Sequence, residues 1–157
     1  MKKIIISLLC IAILCSYLFY RYHSKHSFRC DAQLISHIEQ SNSKIEVNLH
    51  ANIIFMLHDE GSLLLIGSVT KDGKKYLVNR TLFFTIRPSE LRGINKTVIT
   101  REEINKSNEI PEEVWLKYIS PEVSGVEFYS EMNEVNKNGM LLEMLSNPLF
   151  VCARVEK

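Results

Sequence analysis

The stretch that decides the fold is residues 44–57, which read KIEVNLHANIIFML. An apolar residue stands at every second position from Ile45 to Leu57, and polar residues stand between them as far as Asn52. Successive side chains of a β-strand point to opposite faces, so this alternation predicts a strand with one face in a core and the other in solvent. One strand cannot satisfy its own backbone hydrogen bonds, so partner strands are expected elsewhere in the chain.

Strand patterns of the same kind occur on both sides of this stretch. The pair Asp72-Gly73 lies between two apolar runs and is typical of a two-residue hairpin turn. Asn138-Gly139 is a second signal of this type. We therefore expect about seven or eight antiparallel strands, over residues 28–38, 44–57, 62–70, 75–87, 94–100, 125–135, 140–145 and 149–155.

A short helix is predicted between the fifth and sixth of these strands. Residues 101–109 are polar and loop-like, Asn108 is a candidate N-cap, and Pro111 falls in the first turn. Trp115 and Tyr118 then follow at helical spacing, and we interpret this aromatic pair as core packing against the sheet. The predicted fold class is therefore α+β, mainly antiparallel β, with one or two short helices.

An uncharged apolar run, Ile4–Tyr20, lies near the N-terminus between Lys3 and Arg21. At about 1.5 Å per residue the run spans roughly 25 Å, slightly less than a hydrocarbon core of about 30 Å. We predict a single transmembrane signal anchor over residues 4–22. Residues 1–3 would form a cytoplasmic tip, residues 23–27 a juxtamembrane stalk, and residues 28–157 a β-rich domain beyond the membrane. With so short a tip, we expect another membrane protein to relay any signal.

Two alternatives to an uncleaved anchor stay open. A cleaved signal peptide usually has a shorter apolar region and small residues before the cut. A lipoprotein would use Cys10 or Cys15, but Leu9 and Leu14 precede these cysteines where a small residue is generally required. The long apolar run favours the anchor.

Two further cysteines bracket the β-rich domain. Cys30 lies on the first predicted strand and Cys152 on the last. Such a pair is consistent with a disulfide in an oxidising compartment, and two unpaired structural thiols are the alternative. If the cysteines are bonded, the first and last strands are neighbours, and the sheet is curled or barrel-like.

Composition and motifs argue against several classes of function. The formal net charge is +1 and no basic stripe stands out, so direct nucleic-acid binding is not expected. The chain contains no supported Ser/His/Asp arrangement, glycine-rich phosphate loop or CxxC pair, and its histidine spacings match no zinc signature. We predict that the protein is not an enzyme and needs no cofactor or metal.

Three histidines are candidates for pH sensing: His37, His50 and His58. Histidine is the side chain whose unperturbed pKa lies nearest physiological pH. For His50 the alternative is a solvated side chain, because it falls on the polar face of its strand.

Arg80 interrupts the apolar face of the strand over residues 75–87. A buried arginine needs a partner, so Arg80 is either a buried charge, with Glu127, Glu131, Glu134 or Asp59 as internal partner, or an anchor for an anionic ligand or a partner protein. A register break or a snorkelling side chain is the alternative.

Several stretches together resemble one family. These are the N-terminal MKK with its anchor, Phe28-Arg29-Cys30, the strand NRTLFF at 79–84, and the ending PLFVCARV at 148–155. The chain resembles the FidL-like small membrane proteins, among them the fimbrial regulatory proteins MyfF and PsaF, which are functionally similar to ToxS.

The resemblance implies a bacterial inner-membrane protein with its N-terminus in the cytoplasm and its C-terminal domain in the periplasm. Its partner would be a ToxR-like single-pass transcription activator, bound and stabilised through that activator's periplasmic domain, in support of virulence or fimbrial gene expression. In related pairs the two domains form a joint β-barrel able to hold a small amphipathic, bile-salt-like ligand. The resemblance also implies the disulfide between Cys30 and Cys152. An independent periplasmic ligand-binding or envelope-assembly module is the alternative.

Overall fold

The computed structural model describes residues 2–23, 28–40, 43–56, 59–91, 93–120, 125–144 and 147–155. Helix α1 comprises Lys2–His23. Among the described residues, no helix qualifies as a membrane-spanning segment by length and apolar character, so the span predicted over residues 4–22 is not confirmed.

Eight strands and a second helix follow α1. The strands are β1 Phe28–Gln40, β2 Ser43–Phe55, β3 Glu60–Lys71, β4 Lys74–Pro88, β5 Asn95–Ile104, β6 Glu127–Asn136, β7 Gly139–Met144 and β8 Asn147–Arg154, and helix α2, Glu112–Tyr118, lies between β5 and β6.

The strands form a closed antiparallel barrel in which each strand pairs with its neighbours in sequence and β8 pairs with β1. This confirms the predicted antiparallel, barrel-like sheet and decides that the sheet closes within one chain. The alternation of apolar and polar residues in 44–57 corresponds to the inner and outer faces of the barrel wall. Ile45, Leu49 and Ile53 are 1%, 0% and 1% exposed, whereas Asn48 and His50 lie exposed on the outer face.

The hairpin between β3 and β4 has the turn that its sequence predicts. Asp72 and Gly73 both have positive φ, at 51° and 82°. A type I′ turn requires positive φ at both central residues, and its twist matches that of the flanking strands.

The disulfide closes the barrel where the ladder between its ends is short. Among the described residues, β1 and β8 pair only at Cys30↔Arg154 and Asp31↔Ala153. Cys30 and Cys152 are bonded, with their Cα atoms 5.5 Å apart and a sequence separation of 122. The predicted disulfide is confirmed and the alternative of two unpaired thiols is wrong. Cys10 and Cys15 in α1 are free and exposed.

Two local predictions between β5 and α2 are wrong. β5 continues to Ile104, although its polar second half was predicted as loop, because pairing with β4 satisfies its backbone. The N-cap of α2 is Pro111 and not Asn108. The Asn108 side-chain oxygen instead accepts a hydrogen bond from the Asn79 backbone N–H at 3.1 Å, which ties the segment before α2 to β4.

Candidate functional site

The barrel encloses an apolar cavity of about 280 Å³. An eight-stranded barrel has an interior just wide enough to be filled by side chains or to hold one small ligand. The wall is built by inward residues of β1–β7, by the last residue of α2 and by the two residues that follow it, and most of them are aliphatic or aromatic. Its lining residues with a polar side-chain atom other than sulfur are Ser36, Thr97, Tyr118, Ser120 and Ser130, and none of the described lining residues is charged.

One hydroxyl pair lies in this wall. Thr97 on β5 and Ser130 on β6 are joined by an Oγ1···Oγ hydrogen bond of 2.6 Å. Thr97 is 6% exposed. Thr97 stands two residues before the apolar Ile99, so both side chains lie on the same, inward face of β5. This spacing is the signal in the sequence that could have found the threonine.

Helix α2 covers one end of the barrel. Glu109 and Ile110 donate backbone hydrogen bonds to the Leu77 carbonyl of β4, at 2.8 and 3.2 Å. Val114 and Trp115 of α2 are 2% and 1% exposed and belong to the core. The predicted core packing of Trp115 is confirmed. Burying an aromatic side chain of this size is a main source of stability for so short a helix, which would not form alone.

Arg80 fastens this helix to the barrel. Its guanidinium is 2% exposed and donates to Glu102 at 2.9 Å and to Glu112 at 2.8 Å. It also lies over the ring of Trp115, with 4.5 Å from Cζ to the ring centroid. Arg80 is thus a buried charge held by one strand, one helix and one aromatic face.

The predicted partners of Arg80 are therefore wrong: Glu102 and Glu112 take the places assigned to Glu127, Glu131, Glu134 or Asp59. The cause is a bulge in β5. Phe84 pairs with Ile99 while Phe83 pairs with Arg101, so Thr100 is an extra residue. One extra residue exchanges the faces of a strand, and this turns Glu102 inward towards Arg80.

Arg80 is not part of the cavity wall. Both of its terminal nitrogens are occupied by carboxylates of the same chain. Arg80 therefore belongs to the contact between α2 and the barrel. It offers no free cation to a ligand in the cavity.

We infer that the cavity opens beside the second half of β1, where the lining residue Ser36 is exposed. Along the inward face of this strand, Cys30 and Ala32 are buried, Leu34 and Ile38 are partly buried, and Ser36 is exposed. Three of these, Leu34, Ser36 and Ile38, line the cavity. They lie beyond the two residue pairs that join β1 to β8, so the wall parts where the ladder ends.

The described histidines lie outside the cavity wall. His37 and His50 are exposed on the outer faces of β1 and β2, and His50 Nε2 is 3.8 Å from Asp31 Oδ1. His58 lies outside the described residues.

A second, smaller cavity of about 160 Å³ adjoins the first at Ser130 and Met144. Its remaining lining residues are Ile94, Tyr129, Glu131 and Glu143. The two carboxylates of this smaller cavity, Glu131 and Glu143, do not line the large cavity.

Comparison with known proteins gives one family. No curated protein matches the chain. The family described as "FidL-like putative membrane protein" matches residues 67–152, from the middle of β3 to Cys152 in β8. The match covers more than half of the 157 residues, including Arg80, Thr97, α2 and Ser130. The chain therefore belongs to the FidL-like family.

Proposed function

We propose that this protein is a membrane-tethered companion whose periplasmic barrel holds a small amphipathic ligand and binds the periplasmic domain of a ToxR-like transcription activator. The observation that carries the ligand-binding part is the uncharged cavity of about 280 Å³ inside the barrel. Ligand sites are concave, mostly apolar and equipped with a few polar groups, and this cavity has those properties. The activator would be stabilised or activated by the companion, in support of virulence or fimbrial genes such as those governed by MyfF and PsaF.

The tether is supported by the apolar surface of α1. Its large apolar side chains from Leu8 to Phe19 are 55–65% exposed and are distributed around the whole helix. A helix that is apolar all round is suited to a core or to lipid, and not to water. We propose that residues 4–22 anchor the chain in the bacterial inner membrane, with residues 1–3 in the cytoplasm.

The partner is supported by the free half of β1. The carbonyl of Arg29 accepts a hydrogen bond from Val155, so the backbone groups of odd-numbered residues in β1 point towards β8. Past Asp31 these groups have no ladder partner among the described residues. An exposed strand edge is a template for a strand from another chain, so we propose that the activator adds one here.

The test is a pull-down of the periplasmic domain of a ToxR-like activator by the full chain in nanodiscs, under oxidising conditions, with and without cholate. We expect capture, greater protease resistance of the activator domain, and a further gain with cholate. No capture under either condition would overturn the companion role.

A matched pair of variants tests the edge itself. Proline at Ile35, an odd-numbered and exposed position, removes the outward N–H while the ladder to β2 is kept. We expect Ile35→Pro to abolish capture and Ile35→Ala, which keeps the N–H, to preserve it. Equal capture by both variants would show that the activator does not add a strand at this edge.

The second candidate function is an independent periplasmic binding or envelope-assembly module. The closure of the barrel within one chain favours it, because a ligand could be held without a partner. Cholate binding by the full chain with no capture of the activator domain would identify this alternative.

An acid response remains a separate proposal. His37 and His50 are exposed on the outer surface, and His50 lies near Asp31. Histidine is the side chain whose unperturbed pKa lies nearest physiological pH. Replacing His37, His50 and His58 together with glutamine should shift the pH dependence of target-gene transcription. The same pH profile in the triple variant and the native protein would contradict it.

A further inference from the structure

The hydroxyl pair of Thr97 and Ser130 leaves hydrogen-bonding capacity facing the cavity. Each hydroxyl has one proton and two acceptor sites, and the contact between them uses one proton and one acceptor. Among the described residues neither hydroxyl makes another hydrogen bond. Valine and alanine would complete an apolar wall at these positions without leaving a hydroxyl proton unpaired. The pair is therefore suited to a polar group brought in by an occupant.

The charge of that group is limited by the wall. No described lining residue is charged, and Arg80, the buried cation among the described residues, is already paired with Glu102 and Glu112. Taking an ionised group out of water without a counter-charge is strongly unfavourable. A ligand would therefore keep any ionised end at the opening and place an uncharged body inside.

The position of the pair defines where on that body a polar group is needed. In a closed sheet of eight strands, β5 lies across the barrel from β1. The exposed lining residue Ser36, which marks the inferred opening, is on β1, whereas Thr97 is on β5 and Ser130 on its neighbour β6. A ligand that enters beside β1 thus meets the hydroxyl pair with the part most distant from its exposed end.

We propose that Thr97 and Ser130 form the specificity site of the cavity, and that the ligand is an amphiphile whose inserted apolar body carries an uncharged hydroxyl or carbonyl group. This inference rests on the proposed ligand-binding function and adds the chemical group that the barrel selects.

Two probes that differ by one hydroxyl test it: dodecanoate and its ω-hydroxy derivative. The dissociation constant of each probe is measured with the full chain in nanodiscs, and binding to empty nanodiscs is subtracted. A hydrogen bond gained in the cavity should make the hydroxylated probe bind roughly threefold to tenfold more tightly. Because the ratio of the two dissociation constants is taken within each protein, a fraction of unfolded protein does not change it.

Variants of Thr97 and Ser130 test whether this hydroxyl pair causes the ratio of the two dissociation constants. Thr97→Val keeps the shape of the side chain and Ser130→Ala shortens the other partner, and each should reduce the ratio to about one. Thr100→Val removes an exposed hydroxyl on β5, the strand of Thr97, outside the cavity wall. This control should keep the ratio of the native protein.

Three outcomes overturn the inference. Equal affinity for the two probes in the native protein, or an unchanged ratio in both Thr97→Val and Ser130→Ala, would refute the specificity site while the cavity remains a ligand site. Failure of both probes and of cholate to bind would refute the proposed ligand-binding function as well.

Discussion

Arg80 on β4 donates a hydrogen bond of 2.9 Å to Glu102 on β5, and this contact lies beneath a helix that closes the barrel. The arginine is 2% exposed and the Glu102 side chain 23% exposed, so the pair is largely removed from solvent. Glu112 completes the arrangement from α2. The attachment of α2 to the barrel therefore depends on charge as well as on apolar packing.

Removal of the charge at Glu102 tests this dependence. Glu102→Gln should lower the free energy of unfolding by about 1.5–3 kcal/mol, because a buried guanidinium loses a charged partner. The neighbouring Glu103 pairs with Arg101 in solvent, where both side chains are more than half exposed. Glu103→Gln is the matched control and should change the stability by less than about 0.5 kcal/mol. Equal effects in urea denaturation would refute the buried role of Glu102.

The disulfide should carry much of the stability of the barrel closure. Cys30→Ser with Cys152→Ser reopens a loop of 122 residues, for which chain entropy gives a loss of about 5 kcal/mol. Cys10→Ser with Cys15→Ser, in α1, should leave the unfolding curve of the β domain unchanged. Protease susceptibility in the presence and absence of reductant is the measurement, and a reduced protein as resistant as the oxidised one would contradict the prediction.

Gly67 should not tolerate a side chain. Its φ is +153°, and a Cβ at this position would collide with the Asn48 carbonyl oxygen of the adjacent strand. Gly67→Ala should cost about 1–3 kcal/mol of stability. Gly125 also has positive φ, +86°, but faces open space, so Gly125→Asn should cost only the backbone strain, about 1 kcal/mol, and less than Gly67→Ala. Thermal unfolding of the two variants decides between a local clash and a general glycine requirement.

Filling the cavity should remove ligand binding while the fold is kept. Val47 lines the cavity and is 6% exposed, so Val47→Phe places a ring in the space of the ligand. We expect cholate affinity to fall by more than about tenfold, a loss of roughly 1.4 kcal/mol or more. Val135→Phe adds the same ring at a position that is 57% exposed and should bind like the native protein. Equal affinities would place the ligand outside the barrel.

The predictions from sequence succeeded where a local pattern was sufficient, such as alternation of apolar and polar residues or the residue pair of a tight turn. β2 was predicted from seven alternating apolar residues, six of which lie within it, and the turn at Asp72-Gly73 was predicted from the backbone angles that it requires. Arg80 was recognised as a local inconsistency. Its partners were not found, because they lie 22 and 32 residues away and one of them faces inward only after the bulge at Thr100.

The sequence by itself determined which elements form and which face of each is apolar, because period and turn chemistry are local properties. It also indicated that Cys30 and Cys152 would join the ends of the sheet. Only the tertiary structure decided that the sheet closes within one chain, that Glu102 and Glu112 hold Arg80, and that Thr97 meets Ser130 in the wall of an apolar cavity. These depend on strand register and on one inserted residue, and both are set by the packing of distant segments against each other.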